Sequence, residues 1–119
     1  MGTWGLGNFE SDGALDYLDE LIYRLTDTIV GYFNKDNADI GETSELMPTV
    51  AIMLALVKEC HAAPPKADVI EGWRSKYIAI YDERIDALEP NWEYKAERRK
   101  VIDETFLELI QMATKFRTH

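Results

Sequence analysis

The sequence predicts an all-α domain: a small antiparallel bundle of about four helices with an irregular Gly/Trp-rich N-terminal arm packed on it. Three observations lead there. Apolar residues recur at intervals of three and four in long segments, the period of a helix with one buried face. Prolines and polar clusters separate those segments at short, turn-like intervals. No segment alternates apolar and polar residues as a half-buried strand does. At 119 residues the chain reads as a single domain, 1–119, long enough to bury one core without disulfide support.

Residues 1–11 form the arm. Gly2, Trp4, Gly5, Gly7 and Phe9 predict irregular backbone held down by large rings. The first helix is expected over 12–33, capped by Ser11 or Asp12, with Asp16, Asp19 and Glu20 following in its early turns, where acids favour the helix dipole. Leu15, Leu18, Ile22, Leu25 and Ile29 form its core stripe, widened by Ala14 and Leu21. Glu20 and Arg24, four apart, are placed to pair on the outside.

Residues 34–44 are polar and read as a loop. A second helix follows over 45–61, with Pro48 tolerated only in its first turn. Its run Val50 to Val57 is apolar on all sides and predicts a buried helix. Pro64-Pro65 breaks the chain. The third helix is expected over 66–88, with Ile70, Trp73, Tyr77, Ile80 or Tyr81, and Leu88 inward. Pro90 ends it and Asn91 caps a fourth over 91–116, whose stripe is Ile102, Phe106, Leu109, Ala113 and Phe116.

Charge narrows the partners. The chain has 22 acids and 13 bases, a formal net charge of −9. Residues 1–60 hold 11 acids and 3 bases, whereas residues 61–119 hold 11 and 10, so the negative field lies in the first half. Such a field repels phosphate backbones and anionic lipid, so neither nucleic acid nor membrane is an expected partner. It attracts a basic protein. An acidic surface also serves plain solubility. No secretory leader and no membrane-length apolar run is visible, which makes the cytoplasm the expected location.

Chemistry-bearing constellations are sparse. The stretch Asn34 to Glu45 has the length of a calcium loop, but Ala38 and Asp39 stand at its fifth position and its obligatory glycine. Neither His61 nor His119 follows a glutamate by three, as a carboxylate-bridged metal site in a bundle requires. With one cysteine, Cys60, there is no disulfide and no four-ligand Cys/His zinc site. Cys60 and His61 are adjacent, so a helix points them apart, which does not make a nucleophile–base pair. Lys95, Arg98, Arg99 and Lys100 lie among Glu93, Glu97, Asp103 and Glu104, the pattern of an exposed helix laced with ion pairs. No cofactor or metal is expected, and a non-enzymatic role is favoured over an enzymatic one.

Three functional readings follow. In the first, Asp16, Asp19, Glu20, Tyr23 and Asp27 of the first helix, with Asp36, Asp39 and Glu42 of the loop, bind a basic protein; a solvated outer face is the plainer account of the same residues. In the second, a ligand or substrate pocket lies between the arm and the bundle, with Trp4, Cys60, His61 and Trp73 as its candidates. A self-associating structural module is the third possibility, and the oligomeric state is left open.

The opening, Met1 to Asp16, resembles a bacterial family, the domain-of-unknown-function family 4259. Its members begin Met-Gly-x-Trp-Gly-x-Gly-x-Phe, then take a short acidic step into an Asp-x-Ala-x-Asp helix start. Trp4, Gly5, Gly7, Phe9, Asp12, Ala14 and Asp16 match position by position over the first 20 residues. Leu46 to Val57 loosely resembles the family's second helix, with Met53 and Leu54 replacing smaller residues, and Trp92 corresponds to a tryptophan before its last helix. The resemblance implies a small helical bacterial protein with no established activity and no catalytic residues to carry over. It also implies a folding role for the motif: glycines for turns, Trp4 and Phe9 as anchors, Asp12 as the helix cap. Small acidic proteins of this kind often accompany toxins as immunity proteins, so an immunity protein that neutralises a toxin by occlusion is the most concrete form of the first reading.

Overall fold

The structure, a computed structural model, describes residue 3 and residues 5–36, 38–41 and 43–118. Trp4 and Glu42, singled out above, lie outside the described residues. The elements are α1 (Asp12–Phe33), α2 (Leu46–Cys60), α3 (Ala67–Arg84), a 3-10 turn (Ile85–Leu88) and α4 (Trp92–Phe116). The fold is the expected all-α bundle. Among the described residues the one β feature is an isolated antiparallel bridge between Thr3 and Ser11.

Caps set the ends. Ser11, in extended conformation, begins α1, and its hydroxyl accepts the Ala14 N–H at 3.2 Å. Asp12, expected as the cap from the family motif, is instead the first helical residue, where its charge still favours the dipole. Asn91 begins α4 and its side-chain oxygen accepts the Tyr94 N–H at 2.7 Å. At the end of α2, His61 turns left-handed (φ 63°), and Glu89 does the same after the 3-10 turn (φ 53°).

The helices run up, down, up and down. α3 and α4 are antiparallel, joined by Arg74–Asp103 and by Arg99–Asp82. α2 and α4 are parallel: Met47 and Pro48 lie beside Arg98 and Val101, and Lys58 pairs with Glu108. α1 packs on α2, and it reaches α3 near its own C-terminus. There the rings of Tyr32 and Tyr77 lie 5.8 Å apart, Tyr77 and Phe106 6.4 Å, and the Lys76 ammonium sits 5.8 Å from the Phe33 ring. The molecule measures 56 × 24 × 22 Å, so its core is long and thin.

The core follows the expected stripes with informative exceptions. Leu18, Ile22 and Ile29 of α1 are buried, joined by Tyr32, which the stripe stopped short of; Leu15 and Leu25 are partly buried. In α2 the buried face is Val50, Met53, Leu54 and Val57, but Ala51, Ile52 and Ala55 face outward, Ile52 with 53% of its surface exposed. The expectation of burial on all sides is therefore corrected: α2 packs on α1 and α4, and two neighbours cannot cover a whole helix. The third helix ends at Arg84 rather than at Leu88. The chain tightens into the 3-10 turn, Ile85 takes the buried place after Tyr81, and Leu88 is exposed. Phe116, in the last turn of α4, also extends beyond the core and is exposed.

The arm folds back on the start of α1 through the Thr3–Ser11 bridge. Phe9 packs partly buried against the core and Leu6 is fully exposed, so one of these two side chains anchors it. No helix among the described residues is long and apolar enough to cross a membrane.

Candidate functional site

A helix turns 100° per residue, which places Asp12, Asp16, Asp19, Glu20, Tyr23 and Asp27 on one side of α1, opposite Leu18, Ile22 and Ile29. All six are exposed, Tyr23 to 71%. The face runs about 22 Å along the helix axis. One cation answers it: Arg24 pairs with Glu20 at 2.7 Å, in the expected i,i+4 arrangement. The other acids of this face make no ion pair among the described residues.

The loop acids behave differently. Asp39 is exposed, but both its oxygens are engaged within the loop. Oδ1 accepts the Gly41 N–H at 2.7 Å and Oδ2 accepts the Thr43 hydroxyl. These bonds, Thr43 first, hold its carboxyl below the usual carboxylate range. Asp39 thus shapes the loop, and its backbone carbonyl accepts the Tyr32 hydroxyl at 2.9 Å. Asp36 is exposed, and its carbonyl lies 3.5 Å from the Arg84 guanidinium. The structure therefore gathers Asp16, Asp19, Glu20, Tyr23 and Asp27, and it separates Asp39 from them in role.

Of the residues of the second reading, Trp4 lies outside the described residues and the other three differ in burial. Trp73 is buried in the core, Cys60 is partly buried as the last residue of α2, and His61 is exposed. His61 does border a cavity of about 410 Å³ with Val57, Met112 and Phe116. That cavity lies between the ends of α2 and α4, and none of the described arm residues lines it. Among the described residues no three of His, Cys, Asp and Glu gather to hold a metal ion, and no buried side-chain polar atom lacks a hydrogen-bond partner.

The basic stretch of α4 is laced with ion pairs, mostly across helices rather than along α4. Lys95 reaches Asp86 at 2.7 Å, and Arg99 grips both oxygens of Asp82 at 2.9 and 3.0 Å. Lys100 lies 3.9 Å from Glu104 on its own helix.

A further cleft, of about 450 Å³, does not follow from the sequence reading. It opens at the end of the bundle away from the arm, between the α1–α2 loop and the α3–α4 connection. Tyr81 and Ile85 line it from α3 and the 3-10 turn, with Ile40 and Gly41 on one side and Leu88, Pro90 and Tyr94 on the other. Arg98 lines it as well. The signal available was Leu88-Glu89-Pro90-Asn91-Trp92-Glu93-Tyr94, where three large apolar or aromatic residues and a proline fall in seven positions at a helix junction. Comparison with protein-family models, with curated proteins and with solved structures returned no match to this chain.

Proposed function

We propose that the chain is a non-enzymatic protein-binding domain that presents the acidic face of α1 to a basic protein. The supporting observation is the segregation of charge on that helix. Asp12, Asp16, Asp19 and Asp27 stand exposed along one side without a cation partner among the described residues, and the aromatic ring of Tyr23 is set between them. An uncompensated stripe of this kind steers encounter with a positive surface, and an exposed tyrosine adds contact area that a purely solubilising face lacks. In its narrower form the partner is a toxin domain and binding occludes it. The resemblance of the opening residues to a bacterial family of unknown function is compatible with that form. No chemistry is required of the chain in either form.

The test is capture of partners from the source cell's lysate on the tagged full chain, at low and moderate salt, read by mass spectrometry. A stoichiometric basic protein released progressively by salt is the expected result. The triple variant Asp16→Lys, Asp19→Lys, Asp27→Lys should lose that protein and the salt dependence with it. Equal capture by the triple variant overturns the assignment of this face.

A further inference from the structure

We propose that the cleft between the α1–α2 loop and the α3–α4 connection binds a small apolar carboxylate, with Arg98 as the carboxylate-binding group. This site is independent of the acidic face of α1 and lies on other elements.

The charge of the cleft carries the argument. The chain has six arginines. Arg24, Arg74 and Arg99 are each held by a carboxylate, and Arg84 and Arg117 donate to backbone carbonyls. Arg98 alone makes no hydrogen bond or ion pair among the described residues, although it is partly buried. A guanidinium carries five N–H donors in a planar fork, and its matching acceptor is a carboxylate held bidentately. None of the described residues that line the cleft supplies one.

The walls select the rest of the ligand. Ile40, Ile85, Leu88 and Pro90 offer no polar side-chain atoms, and the Tyr81 hydroxyl already donates to the Lys95 carbonyl at 2.9 Å. What remains is a mostly apolar slot of about 450 Å³, lined also by the exposed Tyr94 with its hydroxyl, and one cation, a size and polarity suited to a small molecule. The net charge of −9 disfavours a polyanion such as nucleic acid, whereas one carboxylate on an apolar body meets the guanidinium and the walls together. The slot is also held open. Tyr32 and Arg84 bond the carbonyls of Asp39 and Ala38, which fixes the loop that carries Ile40, so ligand binding does not have to order that wall.

The experiment is a methyl-region NMR titration of the full chain with hexanoate and with phenylacetate, using phenylacetamide as the uncharged control. Saturable shifts at Ile40, Ile85 and Leu88 are expected, with phenylacetamide weaker by about tenfold, the loss of roughly one charge-assisted hydrogen bond. Arg98→Gln should reduce phenylacetate to the level of the amide without lowering the melting temperature. Leu88→Asp, at an exposed rim position, should weaken carboxylate binding by repulsion and gives a second reading if Arg98→Gln fails to fold. No saturable shift up to roughly 20 mM, equal binding of acid and amide, or unchanged carboxylate affinity in either variant overturns the proposal.

Discussion

The guanidinium of Arg84, at the end of α3, donates to the backbone carbonyl of Ala38, 46 positions earlier in the loop between α1 and α2. Ala38 is buried, and with the Tyr32–Asp39 bond this contact ties the loop to the bundle from two helices. Arg84→Ala leaves the carbonyl without its donor. It should lower stability by about 2 kcal/mol, the range of a hydrogen bond to a charged group. Amide exchange in residues 38–45 should accelerate more than in the centre of α4. Unchanged exchange in the loop would show that the tether is dispensable.

Alkaline pH should unfold the bundle through its buried phenols. Burial pushes Tyr32 up to about 12 and also raises Tyr77 and Tyr81. In the unfolded chain all three ionise near pH 10. Their contribution is therefore complete below about pH 10 and is lost as pH rises from there, for Tyr32 through about 12, because the unfolded state then releases protons that the folded state retains. Phenolate absorbance and helical circular dichroism, followed together, should show a late phase of ionisation that coincides with loss of helix. Full ionisation of every tyrosine with the helix signal intact would contradict this.

His61 and Glu89 hold left-handed backbone at φ 63° and 53°, a conformation that costs a residue with a side chain about 1–2 kcal/mol. Glycine adopts it freely, although it also makes the unfolded chain more flexible. His61→Gly and Glu89→Gly should each raise stability by up to about 1 kcal/mol in thermal or urea melts. A loss in both would mean that contacts of the two side chains outweigh the backbone term.

The ion pairs between α3 and α4 differ in exposure. Arg74 and Asp103 are 26% and 29% exposed at 2.6 Å, whereas Arg99 and Asp82 are both 47% exposed. Water screens the second pair more, so a double-mutant cycle should give it a coupling of about 0.2–1 kcal/mol and give Arg74–Asp103 the larger value. Added salt should shrink the Arg99–Asp82 coupling first. The reverse order would show that the bidentate geometry of Arg99 outweighs exposure.

Helix existence, and every end but the last turn of α3, were legible because their determinants are local. Ser11 and Asn91 cap within three residues of themselves, and Pro48, Pro64 and Pro90 constrain their immediate neighbours. The same local period revealed the acidic face of α1. Where period alone was used to infer burial it overreached: Ile52 is as apolar as Met53, yet Met53 points at the core and Ile52 at solvent. Leu88 misled for a related reason, because the chain leaves α-helical geometry at Ile85 and the spacing from Tyr81 no longer describes a continuous stripe.

By itself, then, the sequence determined four helices, their order, the main inward stripes and the concentration of negative charge in the first half. The packing of the helices decided which charges meet across elements. Lys95 and Arg99 lie among acids of their own helix, and the packing of α3 against α4 turns them to Asp86 and Asp82 instead. It likewise brought Ile40 and Arg98, 58 positions apart, to one cleft and left Arg98 without an acid among the described residues. The physical reason is range. Capping, helix period and proline sterics act over a few residues, whereas a cleft or a cross-helix ion pair depends on how whole helices slide and rotate against one another, and no single segment encodes that.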